Sequence, residues 1–370
     1  MADESPRLFL GNFDFEAGLV SPSASSSRDA IRRNSELAFA WLAIARAGDV
    51  IVTEHLPDAE FATTLDRLHR KGVRFARSTD SFDDELIVTP WGWERRVFVW
   101  ADSVGLNEVA PPLHAIAVAN SREFSFACER DCGCGLEGQA VCCSIDEVNE
   151  AVSSLGRWLI KANFGASGRE RIHGSGRPTP EATQWLAKRL DRDGAVFVEP
   201  LVESVEEAGV QWELPQEGGE PQLVGVVPLL SDERGQYRGS VIPSSSVVPE
   251  QWRDAVEISR RAAQRAHSLG YFGPLGIDAM RYRDSFGTVR NRPLQDINAR
   301  WTMGRLALGW RDLVPENGMA ILRAGAELAL PNAANVLTIS PETLAGEPPR
   351  HRFWIESSRG MSDPDTGKMK

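Results

Sequence analysis

Lys161 closes the apolar run Trp158-Leu-Ile-Lys161 and is followed within a few residues by Gly165, Ser167, Gly168 and Arg169. Glycines let backbone N–H groups approach phosphate oxygens closely, and a lysine fixed on a strand supplies a positive point charge. The spacing matches neither a Walker A loop nor a dinucleotide fingerprint. By itself the segment reads either as a phosphate cradle or as a plain turn after an edge strand. A second group sits in Gly276-Ile-Asp278 and Gln295-Asp296-Ile-Asn298-Ala-Arg300. Asp296 and Asn298 are two apart, so on a strand they share a face. Asp278 on a neighbouring strand would complete a set of hard oxygen ligands, the kind that holds Mg²⁺ beside substrate phosphates. The competing reading makes both aspartates strand-end carboxylates facing water. A third segment, Val196-Phe-Val-Glu199-Pro-Leu-Val202, is an apolar strand running into a less regular hinge whose backbone could read the edge of an adenine.

The elements that must position these groups alternate between strand and helix patterns. Leu8-Phe9-Leu10 reads as a strand, Arg28 to Ala47 as a helix ending at Gly48, and Val50-Ile51-Val52 as the next strand. Glu60 to Lys71 and Gly72 to Phe75 repeat the pattern, which predicts a parallel α/β sheet covered by helices. The serine-rich run Ser21 to Ser27 reads as a loop. Further on, Ser144-Ile-Asp-Glu147 is a capping box that opens a helix to Leu155. Pro180 to Leu190 reads as a helix, Ala195 to Glu199 as a strand, and Glu250 to Gly270 as a long helix. Strands are expected at Leu223 to Leu229, Gly276 to Tyr282 and Leu294 to Asn298. From Pro341 the chain turns rich in Pro, Ser, Gly and charge, which predicts a polar tail with a disordered end.

The chain has 370 residues, 42% of them hydrophobic and 25% charged, so it can bury several cores without a staple. Its formal net charge of -11 argues against a dedicated nucleic-acid binder, which needs a basic face. No basic leader with an apolar stretch opens the sequence and no long apolar run interrupts it, so a cytoplasmic protein without a membrane span is expected. Six histidines are present and none lies in an HExxH or nucleophile-elbow pattern. All five cysteines fall between Cys128 and Cys143, at Cys128, Cys132, Cys134, Cys142 and Cys143. That spacing is no standard zinc or iron–sulfur pattern, and small buried hydrophobes are the simpler reading. Cys132 and Cys134, flanking Gly133, are the thiols expected to be exposed. A metal or redox role is the alternative.

Taken in order, a strand lysine with a Gly-rich loop, a strand-Glu hinge, and late strands carrying Asp and D-x-N-x-R resemble the ATP-grasp superfamily, over about Asn120 to Trp310. Asp296-Ile-Asn298-Ala-Arg300 with Thr302-Met-Gly304 is similar to that family's late segment. Asp296 departs from its usual E-x-N, and the glycine lid is matched loosely. The resemblance implies an α/β chain with the ATP-grasp fold and an N-terminal Rossmann-like pre-ATP-grasp domain. Its units would be an N-terminal α/β domain over 1–118, a lid over 119–202, a metal-bearing subdomain over 203–340 and a polar tail over 341–370.

The resemblance also implies roles. Lys161 would contact the α- and β-phosphates of ATP. Gly165, Ser167, Gly168 and Arg169 would close over the β- and γ-phosphates, with Arg122 as a further cation. Glu199 and the Leu201 backbone would hold the adenine edge, and Glu206, preferred over Glu207, the ribose hydroxyls. Asp278, Asp296 and Asn298 would hold Mg²⁺, and Arg300 would stabilise developing charge. The implied activity is an ATP-dependent ligase that joins a small-molecule or peptide carboxylate to an amine through an acylphosphate. A small-molecule kinase of the same fold and a non-catalytic nucleotide sensor are the alternatives. Neither nucleic acid nor membrane enters as a partner, and a homodimer is compatible with the family. The acceptor side would involve the loop after Gly11 (Asn12, Asp14, Glu16), Pro90 to Trp93, and Asp232 to Ser240 with Arg238. Between Arg157 and Arg177 five Arg and Lys residues face the single carboxylate of Glu170, a locally basic lid in an acidic chain.

Overall fold

The structure is a computed structural model that describes residues 5–21, 26–106, 108–165, 170–233, 235–314, 319–326 and 335–357. The strands β1 (Arg7–Leu10), β2 (Val50–Val52), β3 (Arg74–Ala76) and β4 (Ile87–Pro90) form a parallel sheet in the order β3-β2-β1-β4. Leu8 and Phe9 are adjacent and both fully buried. They face opposite sides of β1, so both faces of the sheet are covered there, which is why the neighbouring central segments Leu8-Phe-Leu10 and Val50-Ile-Val52 are continuously apolar rather than alternating.

The helix expected from Arg28 to Ala47 is α-helical only over Arg28–Leu37 and then tightens into a 3₁₀ segment, Ala38–Ala43. All six residues of that segment are buried. Trp41 stacks on Phe9 with ring centroids 4.7 Å apart. On the other side Gly309 presses so closely that a Cβ there would lie 2.3 Å from the Ala43 carbonyl oxygen. A segment enclosed on every side has no polar face for a regular amphipathic helix to present.

The second sheet contains β5 (Ala140–Cys142), β6 (Trp158–Ala162), β7 (Arg171–Gly174) and β8 (Val196–Pro200), antiparallel in the order β5-β8-β6-β7. Val148, Val152 and Leu186, from the helices Ile145–Ser153 and Pro180–Asp193, cover it. The cap forms, with its return bond one residue earlier than in a capping box: Glu147 N–H donates to Ser144 Oγ at 3.2 Å, and Cys143 N–H donates to Glu147 Oε2 at 2.7 Å. Cys142 lies in this core and Cys128 in the larger one. Burial pushes both thiols up to about 11. Cys143 is the exposed cysteine, while Cys132 and Cys134 are half-buried, the reverse of the sequence expectation. All five are free thiols.

The third sheet holds eight strands: β9 (Glu203–Leu214), β10 (Gln222–Ser231), β11 (Tyr237–Ile242), β12 (Gly273–Arg283), β13 (Val289–Asn298), β14 (Ala320–Ala326), β15 (Val336–Thr338) and β16 (His351–Ser357). Their order is β13-β12-β9-β10-β11-β14-β16-β15. The last of these corrects the expected polar tail. Phe353, Trp354 and Ile355 are buried, and β16 pairs along all of β14. The start of β16 is fixed by the buried carboxylate of Glu36, which accepts from the backbone N–H groups of Arg350 and His351 at 3.1 and 3.0 Å. Residues 358–370 lie outside the described part. No helix among the described residues is long and apolar enough to cross a membrane.

Candidate active site

Strand pairing brings the late carboxylates together. In the β12–β13 ladder Asp278 stands opposite Asp296 and Gly276 opposite Asn298, with a bulge just beyond Asp278. Asn298 Nδ2 donates to Asp278 Oδ2 at 3.1 Å. Asn298 Oδ1 accepts from Arg300 Nη2 at 2.9 Å, and Arg300 Nε donates to Glu16 Oε1 at 2.7 Å. Arg300 also lies over the Trp91 ring, 5.4 Å from its centroid. The helix Phe15–Val20 and the segment just after β4 therefore reach Arg300, beyond the end of β13. Arg122, at the first turn of the helix Arg122–Cys132, pairs with Asp296 at 2.9 Å.

These aspartates differ in charge compensation. Asp296 has Arg122. Asp278 has the Asn298 amide and no ion pair among the described residues, and burial followed by repulsion from Asp296 pushes it up to about 7. Two facing carboxylates, one of them short of positive charge, are oxygen donors that fit a hard divalent cation, and the Asn298 amide, which presents Nδ2 to Asp278, would turn to add its oxygen.

Lys161 belongs to a different arrangement, a buried chain of charges. Its Nζ is 2.5 Å from Glu199 Oε1, and Arg292 Nη2 donates to Glu199 Oε2 at 2.9 Å. Arg292 Nε continues to Glu129 Oε1 at 2.6 Å. Two cations and two anions cancel, which is how four ionised groups can be removed from water together. Burial pulls Lys161 down to about 8. Burial would raise Glu199, but Lys161 and Arg292 hold it at about 2.

A cavity of about 410 Å³ joins the two arrangements, with Lys161, Arg122, Asp278, Asp296, Asn298 and Arg300 on its walls. Gly165 lines it as well. Ser167, Gly168 and Arg169 lie outside the described residues. Three of the expected contacts are placed as follows. Glu199 is not on the cavity wall, and both its oxygens are engaged by Lys161 and Arg292. The Leu201 N–H donates to the Arg157 carbonyl at 3.0 Å, so the hinge continues the β6–β8 ladder and this donor is not left for a base. Glu206 turns outward to Arg281 at 3.1 Å, while its neighbour Glu207 faces the cavity beside Ser231. Alternation along β9 sets this division, placing Glu207, Gly209 and Gln211 on one face.

Sequence reasoning missed Gln211, whose side-chain oxygen accepts from Thr302 Oγ1 at 2.7 Å, and the buried Arg292–Glu129 pair. The period of two from Glu207 marks Gln211. No local signal marks the pair, because its partners are far apart in sequence. Of the acceptor-side candidates, Glu16, Trp91, Gly235, Gln236, Tyr237 and Arg238 line the cavity. Asn12 and Asp14 line a separate recess at the ends of β1 and β2.

The architecture can be compared with solved structures. The biotin carboxylase domain of the Hydrogenobacter thermophilus 2-oxoglutarate carboxylase, in complex with MgADP, ADP and bicarbonate, superimposes with a TM-score of 0.56 at 12% identity, covering 96% of this chain and 86% of that one. The fold is the ATP-grasp fold. The Campylobacter jejuni biotin carboxylase in its β,γ-ATP complex gives 0.54 at 12% identity, over 96% and 88% of the two chains. The N5-carboxyaminoimidazole synthase of Aspergillus clavatus, with ADP and 5-aminoimidazole ribonucleotide, gives 0.52 at 14%, over 97% and 95%. No protein-family model matches the sequence, and no curated protein matches it significantly.

Proposed function

We propose that this ATP-grasp chain is an ATP- and Mg²⁺-dependent ligase that activates a carboxylate as an acylphosphate for attack by an amine. The observation that carries the reading is the convergence of Lys161, Arg122 and Arg300 with Asp278, Asp296 and Asn298 on one cavity. Asp278, Asp296 and Asn298 would hold Mg²⁺, which supplies neutralisation of phosphate charge. Lys161 and Arg122 place positive charge where the triphosphate would lie, and Gly165 begins the loop that would cover it. Arg300, held by Glu16 and Asn298, offers a pre-oriented guanidinium to charge developing on the transferred phosphoryl group or on the tetrahedral adduct of the amine. Such catalysis rests on positioning and electrostatics and needs no protein nucleophile.

Titration calorimetry tests the reading. Saturable ATP binding that strengthens on adding Mg²⁺ is expected, and its absence would sink the proposal. ADP release that requires both an acid and an amine from a substrate panel supports ligation. Release with an acid or alcohol alone marks a kinase, and binding without release marks a sensor.

The ribose role passes to Glu207. Glu207→Gln is expected to weaken Mg·ATP binding about tenfold, the loss of one charge-assisted hydrogen bond, whereas Glu206→Gln leaves it within twofold. Equal affinities in the two variants, measured by the same calorimetry, would remove Glu207 from the site.

A further inference from the structure

The cavity is electrically lopsided. Every carboxylate on its wall, namely Glu16, Glu170, Glu207, Asp278 and Asp296, comes from outside the helix Arg28–Leu37 and the strands β11, β14 and β16. Those four elements instead contribute Arg33, Arg238, His351 and Arg352, and no Asp or Glu. In the sheet order β14 and β16 lie on the far side of β10 and β11 from β12 and β13, so this basic end is separate from the aspartates. Arg238 is compensated by Asp232 at 2.8 Å. Arg352 makes no ion pair among the described residues, and its Nε donates to the Pro349 carbonyl at 3.1 Å.

His351 is held with unusual care for a cavity-wall residue. Its Nδ1 lies 2.7 Å from Glu36 Oε2, and the same carboxylate accepts from Arg32 Nε at 3.0 Å and from two backbone N–H groups. Burial would raise Glu36, but these donors hold it at about 2. An ionised carboxylate only accepts, so Nδ1 donates to Glu36 and Nε2 is the nitrogen turned to a ligand; an oxyanion there is bound by the imidazolium, in which both ring nitrogens donate. The remaining charged groups packed on this corner are Arg350, and Glu347, which pairs with Arg32 at 2.6 Å. Glu36 thus anchors β16 and the imidazole together while its own charge is consumed off the cavity wall.

We propose that the end of the cavity formed by β16 and the helix Arg28–Leu37 is an oxyanion subsite, with Arg352 and His351 as its reading groups and Arg33 beside them, which binds a carboxylate or phosphate substituent of the non-nucleotide substrate. The inference rests on the ligase reading only for the word substrate; the subsite itself is a property of the resting protein.

The test uses two probes, malonate and inorganic phosphate, titrated into the full chain while the His351 ring resonances are followed by ¹H–¹⁵N NMR and affinity is measured by calorimetry. A saturable shift at His351 is expected with at least one probe; malonate alone assigns a carboxylate, phosphate alone a phosphate, and both a general oxyanion site. Arg352→Gln is expected to weaken the binding at least tenfold, and Lys161→Ala to change the affinity read at the His351 resonances less than twofold. Should Arg352→Gln fold poorly, His351→Gln replaces it with calorimetry as the readout and the same tenfold loss expected. No shift at His351 with either probe, or equal weakening by the Lys161 and Arg352 variants, overturns the subsite. Because neither probe needs ATP, a protein that fails to bind Mg·ATP can still pass this test, and one that binds Mg·ATP can fail it.

Discussion

Lys161→Ala is expected to lower Mg·ATP-dependent ADP release at least about a hundredfold while leaving the protein folded. The size follows from removing one preorganised charge aimed at a phosphate in a water-poor site, a loss of about 10²–10³ in comparable cases. The fold should survive because Glu199 keeps Arg292 at 2.9 Å and is not left as a bare buried anion. The balance still shifts: Glu129 and Glu199 are then faced by Arg292 alone, so a destabilisation of about 1–3 kcal/mol is expected, the cost of a buried charge that has lost part of its compensation. Circular dichroism melting and the ADP assay separate the two effects. Turnover within a few-fold of the parent would remove Lys161 from the phosphate site. A lowered melting temperature with unchanged Mg·ATP affinity and turnover would make it a purely structural lysine.

This dual role explains why part of the site could be read from sequence and part could not. Asp278, Asp296 and Asn298 were legible because their arrangement depends on strand periodicity, a property of neighbouring residues, and on one ladder between two consecutive strands. The ion-pair partners of Glu199 were not legible, because they come from elements far away in sequence. Arg292 sits in Val289-Arg-Asn-Arg-Pro-Leu, which looks like an exposed basic strand end, and is buried only because Glu129 and Glu199 arrive from elements 163 and 93 residues away. The choice between Glu206 and Glu207 turned on where β9 begins relative to the hinge. A shift of one residue reverses every side chain, and composition does not fix that starting point.

The same distinction holds for the fold. The cap at Ser144 and the helix-forming patterns are local, and they appear nearly where expected. The 3₁₀ segment Ala38–Ala43 and strand β16 are tertiary. Phe353-Trp-Ile355 is a short apolar run in a segment rich in proline, serine, glycine and charge, too short to mark a strand by itself. Its burial depends on β14 and on Glu36, 315 residues from His351. The oxyanion subsite is built on that strand, so it was invisible for the same reason.

Asp278→Asn is expected to abolish Mg·ATP-dependent turnover and, at the same time, to stabilise the ligand-free protein above neutral pH. The sign follows from the direction of the shift. Asp278 has its folded value raised to about 7 from 3.8. Between those two values the folded state retains a proton that the unfolded state has released, so stability falls as pH rises through that window. The full penalty is present above pH 7, and at about 1.36 kcal/mol per unit it amounts to about 2–4 kcal/mol, the lower figure allowing for water in the cavity. Asparagine carries no charge and still offers an oxygen to Asn298 Nδ2, so the variant escapes the penalty without losing the hydrogen bond. Its advantage in thermal melting should therefore be largest at pH 8 and vanish below about pH 3, under the unfolded value of 3.8, where the parent carboxyl is neutral in both states. Added Mg²⁺ should stabilise the parent at pH 8 and leave the variant unchanged, since a cation that binds only the folded state acts through the charge that asparagine lacks. A stability difference independent of pH would show that Asp278 is compensated in some other way. Mg²⁺ stabilising both proteins equally would move the cation away from this pair of strands. A carboxylate kept where it weakens the empty protein is intelligible as one held ready for a positive charge that arrives with the nucleotide.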